Sequence, residues 1–374
     1  MTQFATRPNV DGAMLKRCAE LHGQMHSTAI SIYAARWCKE NGVDLPESVQ
    51  AYGEFPPINF GELVEKTAAL DNEPVHGHRA LMASAVSGVS LPATVINSTV
   101  GMAVQSGFDS VGTVRQWTTL GRPHNYRKEF RPIVEEVSPP KTHSRGDAAE
   151  HAEIRILHSE GVQLGRFSQQ LEVDEIDELD IAPIIPAMAA ALGRSAGSFV
   201  EDLGYSVLLN GTMDEGEPIC HSDFGNFASG KPLTLENLGA AFGAMRAQKS
   251  DNKTALYANV RPDVLVVGSA DFLNASAILK LLNEPSIRLI ESERIDGGVR
   301  DENSNQTLAG SPGSWFLIDS RRAVERAFLD GDEKPTVGRY VNNGVNGRWS
   351  TTWTVTLSLA IKALDRRCVF RRDV

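Results

Sequence analysis

Near the end of the chain the stretch WSTTWTVTLSLAIKALD alternates strictly: Trp353, Val355, Leu357, Leu359 and Ile361 are apolar, and Thr354, Thr356, Ser358, Ala360 and Lys362 lie between them. Successive side chains of a strand point to opposite faces, so this pattern predicts one long, half-buried strand. A strand of that length needs pairing partners and a cover for its apolar face.

A second constraint is a rod. From Pro186 to Asn210 apolar residues recur at helical spacing, with Met188, Leu192, Ser195, Phe199, Leu203 and Val207 on one stripe. About 24 residues at 1.5 Å each give a helix of roughly 36 Å, well above the usual length. Pro186 suits its first turn, while Gly193, Gly197 and Gly204 would cost stability in its interior and predict close approach of another backbone.

The rest of the chain divides by texture. Residues 11–43 show helical spacing ending at Asn41-Gly42, followed by a connector with Pro46, Pro56 and Pro57 and a short helical pattern GELVEKTAALDN. Residues 80–108 are rich in Ala, Ser and Val, with apolar spacing through VSLPATVINSTVGMAVQSGF. Two extended runs, YRKEFRPIV and AEIRILHSEGVQLGRFSQQLEV, flank the polar segment EEVSPPKTHSRGDAAEH and predict a long hairpin with little core of its own. Such a hairpin is marginal alone in water and gains stability from a partner surface. From Pro232 to Tyr340, TLENLGAAFGAMRAQ predicts a helix capped by Thr234, RPDVLVVGSADF a buried strand, ASAILKLLNEP a helix, SIRLIESERI a strand, and WFLIDS a further strand after a polar loop. Alternating strand and helix make this a compact α/β block.

At 374 residues the chain has room for a large core, and its net charge of −10 argues against a protein whose main task is gripping nucleic acid. Cys18, Cys38, Cys220 and Cys368 show no paired spacing, so reduced thiols are expected and not a disulfide frame or zinc site. No run reaches the roughly 18 apolar residues of a membrane span, and no signal peptide is read at the start.

Candidate chemistry is sparse. Glu172, Asp174, Glu175, Asp177, Glu178 and Asp180 crowd ahead of the long helix, but they lack the ligand order and central glycine of a calcium loop. Carboxylates before a helix N-terminus are stabilised by its dipole, and a solvated lead-in is the expected reading. Cys220 and His221 are adjacent, and neighbours in a strand point apart, so they are read as a small buried thiol beside a surface histidine. His76 and His78 share one side of an extended chain without a third ligand motif. No phosphate loop, dinucleotide fingerprint, nucleophile elbow or metalloprotease helix is present in the sequence. No catalytic, cofactor-binding or metal-ligating residue is therefore assigned.

LPATVINSTVGMAVQSGF, HSEGVQLGRFSQQLEVDEIDELD, PAMAAALGRSAGSFVEDLGYSVLLN, LTLENLGAAFGAMRAQ, RPDVLVVGSADFLNASAILKLLN and WTVTLSLAIKALDRR follow one another in an order with a precedent. Over residues 76–374 the chain resembles tailed-phage major capsid proteins of the Hong Kong 97-type fold, especially the capsid half of proteins with a prohead protease fused ahead of it. It departs from that pattern in reading EVDEIDELD without Asn-Asp-Asp and DRRCVFRRDV without a glycine.

The resemblance implies an α+β fold. Its divisions fall at residues 1–75 (N-terminal extension, scaffold-like or an extended arm), 76–123 (arm and start of the peripheral domain) and 124–165 (extended hairpin loop). They continue with 166–231 (peripheral domain with spine helix), 232–340 (axial domain) and 341–374 (final peripheral strand). It implies self-assembly into hexamers and pentamers of an icosahedral shell around double-stranded DNA, with the hairpin over a neighbouring subunit and Gly297–Gly310 near the capsomer axis. Implied partners are a portal, a scaffold or prohead protease, decoration proteins and packaged DNA, in a virion assembled in the host cytoplasm without membrane or cofactor. Some relatives crosslink a hairpin lysine to a neighbour's asparagine; Lys141 and Asn342 or Asn343 are the nearest candidates, with an ordinary solvated lysine the expected reading. An encapsulin-like compartment of the same fold, and a soluble metal-dependent enzyme using His76, His78 and the acidic run, are the alternatives.

Overall fold

The computed structural model describes residues 91–134, 156–174, 185–230, 232–249, 257–282, 286–300, 307–343 and 349–373. The expectations for residues 1–75, for His76 and His78, for Lys141 and for Glu175–Asp180 lie outside them. The chain is of mixed helix and sheet and forms two compact units, one from residues 1–109, 168–194 and 335–356, the other from 110–167, 195–334 and 357–374.

In the first unit lie helix α1 (Leu91–Asp109) and the start of helix α2 (Ile185–Asn210). Pro92 and Pro186 both fall in a first turn, where a missing N–H costs nothing. Val100 and Val104 on α1, and Ala189 and Leu192 on α2, are buried at helical spacing. Glycine sets how closely the two helices meet. A Cβ at Gly193 would fall on the Val104 carbonyl, and one at Gly107 on the Ala190 carbonyl. The backbone approach predicted for Gly193 is thus present.

Strand β12 (Thr336–Asn343) pairs antiparallel with the first half of β13 (Trp349–Ala363), from Thr336 opposite Thr356 to Asn343 opposite Trp349. Along β13, Trp353, Val355, Leu357 and Leu359 are buried and the intervening residues half-buried, as the alternation requires. Ile361 is half-buried and packs against the main core.

The second unit carries that core. Its principal sheet runs in the order β5 (Phe227–Ala228), β14 (Val369–Arg372), β10 (Trp315–Ile318), β6 (Val264–Val267) and β7 (Arg288–Glu291). Every residue of β6 and β10 is buried, the mark of strands covered on both faces. Helix α3 (Leu235–Arg246) starts where expected: the Thr234 hydroxyl accepts from the Asn237 amide at 3.2 Å. Helix α4 (Phe272–Leu282) crosses between the parallel strands β6 and β7.

The run SIRLIESERI is shorter as a strand than its pattern predicts. It ends at Glu291, because the Ser292 side chain accepts from the Arg294 amide and opens the short helix α5 (Glu293–Gly297). The polar loop beyond contains a small antiparallel pair, β8 (Val299–Arg300) with β9 (Thr307–Leu308). Two of the five sheet strands, β5 and β14, come from outside residues 232–340, so the sheet draws on a short segment just ahead of the block and on the chain's last strand.

Beside this sheet, β1 (Thr119–Gly121) runs parallel to β11 (Val324–Phe328), which pairs antiparallel with the second half of β13. The later turns of α2 are fixed by polar groups. Buried Glu201 accepts from Thr113 Oγ1 at 2.8 Å and the Val114 amide at 2.9 Å, and Asp202 meets Arg294 Nε at 2.6 Å. Gly204 leaves room for the Val114 side chain, and Trp117 packs on Tyr205 with ring centroids 5.7 Å apart.

Glycine-to-alanine exchange separates packing from propensity. Gly101→Ala on α1 meets nothing within 4 Å and is expected to stabilise the chain by up to about 1 kcal/mol, the helix-propensity gain. Gly193→Ala carries the same gain but places a methyl on the Val104 carbonyl, and a net loss of about 1–3 kcal/mol is expected from overpacking. Thermal unfolding of the two variants checks this; equal effects would show that the helices part freely.

Candidate functional site at the foot of the hairpin

The two extended runs do form a hairpin base. Strand β2 (Glu129–Val134) pairs antiparallel with β3 (Ile156–Val162), from Glu129 opposite Val162 to Val134 opposite Ile156. The register shifts between Pro132 and Ile133; proline offers no N–H to the ladder, and bulges collect at such positions. The second run is not a single return strand. It breaks at Gln163-Leu164, and β4 (Gly165–Asp174) leaves the hairpin to pair with β13.

Polar groups concentrate at the base of this hairpin. After α2 the chain turns, with the Gly216 amide on the Met213 carbonyl at 2.9 Å and Gly216 at φ +85°, and the turn presents Asp214. One carboxylate oxygen of Asp214 accepts from the Gly161 amide at 2.7 Å and from Lys128 Nζ at 2.8 Å. Its other oxygen lies 3.2 Å from Lys362 Nζ on β13. The Asp214 amide donates in turn to buried Glu160 at 2.8 Å, and Lys362 donates to the Thr212 carbonyl at 3.1 Å. Glycine at position 161 leaves room for the Lys128 stem, which a Cβ there would displace.

A second anchor holds β2 to β11. Arg131 Nε reaches both oxygens of buried Glu325, at 3.0 and 3.1 Å, and its Nη1 meets Glu129 at 3.0 Å. A Cβ at Gly121 would strike the Glu325 carboxylate, so glycine on β1 makes room for this pair. Glu325 is buried and Arg131 half-buried, so deleting the arginine would leave a buried carboxylate without its main partner. Tyr126 Oη and Ser358 Oγ, 2.7 Å apart, add a further link, while the exposed His124–Asp330 contact at 2.7 Å adds little.

The protonation states follow from this geometry. Burial works to raise the Asp214 carboxyl, but Lys128, the Gly161 amide and Lys362 together outweigh it and hold the group below the ordinary carboxylate range. Burial likewise works to lower Arg131, and hydrogen bonds and charges from Glu325 and Glu129 leave it raised. Both lysines and the arginine are therefore committed to carboxylates. The set acts as a clamp for the hairpin and offers no nucleophile with a base.

Cys220 packs against the main core, and burial pushes its thiol up to about 12, far from a reactive thiolate. His221 accepts from the Asp223 amide through Nδ1 at 3.3 Å, capping a single turn instead of serving the thiol. Of the acidic run, Glu172 accepts from Ser350 Oγ at 2.8 Å and Asp174 closes β4. Asn342 and Asn343 lie on β12, opposite Ser350 and Trp349. Among the described residues no group of three or more His, Cys, Asp and Glu side chains could hold a metal ion.

Sequence reasoning missed Lys128, Glu160, Asp214 and Lys362. They come from four separate segments, and each is an ordinary charged residue in its own neighbourhood. Removing the acceptor exposes their role: in Asp214→Ala the Gly161 amide loses its partner, and hydrogen exchange at Gly161 is expected to rise about tenfold, equivalent to one hydrogen bond. The wild-type clamp has a pH signature with a definite sign. A carboxyl lowered by folding stabilises above its unfolded pKa of about 3.9, and that contribution fades as pH falls through the lower folded value. Protection of the Gly161 amide, taken relative to its intrinsic exchange rate, should therefore fall in wild type as pH drops through the lowered Asp214 value, and this step should be lost in Asp214→Ala; a shared, unchanged profile would contradict the clamp.

A family model described as phage capsid protein matches residues 159–371. No curated protein matches the chain. Among solved structures, the capsid of cyanophage P-SCSP1u is 12% identical over 70% of this chain and 88% of its own, with a TM-score of 0.46. The acid-stable capsid of Helicobacter pylori bacteriophage KHP30 gives 12%, 71%, 91% and 0.47 in the same order. The holo-SrpI encapsulin complex from Synechococcus elongatus gives 12%, 71%, 88% and 0.43.

Proposed function

The chain belongs to the phage capsid protein family, and from that premise we propose that its copies associate as hexamers and pentamers and close into an icosahedral shell around double-stranded DNA. The observation that carries this reading is the family match over residues 159–371, from the hairpin's return to the chain's last strands. The element order supports it: a helix ahead of the hairpin, a clamped hairpin base, a long helix, an α/β sheet and a long closing strand. Polar groups spent on fixing the foot of a two-stranded arm make sense if the arm lies over a neighbouring subunit, since such an arm has little stability of its own.

Each contact between subunits can be modest, because closed symmetry makes every subunit bind several others at once. The net charge of −10 suits a container that encloses DNA without reading it. On this reading the chain works beside a portal, a scaffold or prohead protease, and decoration proteins, in a virion assembled in the host cytoplasm. Residues 1–75 act as a scaffold-like segment or an extended arm, and Gly297–Gly310 approaches the capsomer axis. The protein's work is mechanical: positioning, pairing and closure.

Electron microscopy of the purified full chain tests this. Capsomers or closed particles are expected, and nuclease-resistant DNA in particles from infected hosts. Monodisperse small oligomers under all assembly conditions would overturn the shell, and particles carrying an enzyme in place of DNA would convert it to a protein compartment.

A further inference from the structure

Helices α3 and α4 expose contrasting surfaces, large apolar side chains on one and side-chain-free backbone on the other. Helix α4 turns Ala275 and Ile278 inward, yet Leu273 and Leu281 are each 79% exposed. With Ala277 they form an apolar stripe at i, i+4 and i+8, and Lys280 lies beside it. Exposed leucines at such spacing on one face are unusual for a surface that meets only water.

Helix α3 shows the opposite relief. It turns Leu238, Ala241 and Met245 inward and leaves Glu236, Gly239, Ala240 and Gly243 outward. A Cβ at Gly239 or Gly243 would meet nothing within 4 Å. No close approach within the subunit requires these glycines, although each weakens an isolated helix. They leave about one turn of backbone bare to solvent, a place where a side chain from outside can seat, with exposed Leu235 and Glu236 at its N-terminal end.

We propose that the leucine stripe of α4 in one subunit seats in the glycine trough of α3 in a second copy of this chain. With Leu281 over Gly239 and Gly243, Lys280 of the first copy comes beside Glu236 of the second. Stripe and trough are different surfaces of one chain, so the contact can repeat head-to-tail from copy to copy, and such contacts close into rings when the rotation between copies permits. A ring is what a capsomer requires. The inference rests on the shell reading and specifies which side chains make one of its contacts.

Three sets of substitutions test it in the full-length chain, with circular dichroism reporting folding, and sedimentation velocity and electron microscopy reporting assembly. Gly239→Leu with Gly243→Leu fills the trough into open space, and Leu273→Ser with Leu281→Ser removes the stripe from an exposed surface. Either pair is expected to raise the subunit concentration at which rings or shells form by about tenfold or more, an ordinary loss for an interface anchor, with helicity kept. Should the trough-filled chain fail to fold, the serine pair decides alone. Glu236→Lys and Lys280→Glu are each expected to weaken assembly, and the two together to restore it, a result that lost helix stability would not produce. Wild-type assembly by all variants overturns the interface and leaves the shell reading standing. Failure of the wild type to form rings or shells overturns both.

Discussion

Backbone contact at glycine lets helix α2 organise its surroundings. In the first unit, Gly193 and Gly107 bring α1 and α2 to the distance of main-chain carbonyls. In the second, the same helix offers Gly204 to Val114 and presents Glu201 and Asp202 to Thr113, the Val114 amide and Arg294. Apolar packing alone would let such a rod slide along its neighbours. Bare backbone and buried charge fix both its register and its rotation, and each would be costly to misplace.

The hairpin base shows the same division of labour. Its strands supply the ladder, while the position of the arm comes from Asp214 between Lys128 and Lys362 and from Arg131 on Glu325. Charged side chains suit this task because their geometry is directional, whereas hydrophobic burial is not. If the hairpin engages a neighbouring subunit as proposed, a clamp that fixes its base beforehand lowers the ordering cost of that encounter.

What could be read in the sequence was what repeats locally. The alternation of β13, the stripe and first-turn Pro186 of α2, the Thr234 cap of α3 and the buried run of β6 each carry their signal within a few residues. Strand β11 was hidden because VERAF is buried along its whole length yet contains Glu325 and Arg326, whose partners Arg131 and Glu333 lie elsewhere in the chain. The same holds for β14, where Arg371 donates to the Leu209 carbonyl and buried Arg372 to the Asn237 carbonyl. The clamp was illegible for a related reason: its members acquire a common purpose only when four segments meet. The acidic run drew attention as a possible reaction centre; its described part lies in β4, where Glu172 is bonded to Ser350 and Asp174 is the strand's last residue.

An electron cryomicroscopy reconstruction of the assembled particle at side-chain resolution addresses the central claim, a shell subunit with a clamped arm, most directly. The expected result is a closed shell in which strands β2 and β3 extend over an adjacent copy while Asp214 keeps its contacts with Lys128, Lys362 and the Gly161 amide. Hairpins folded back on their own subunit, with Asp214 released and no neighbour beneath them, would contradict it.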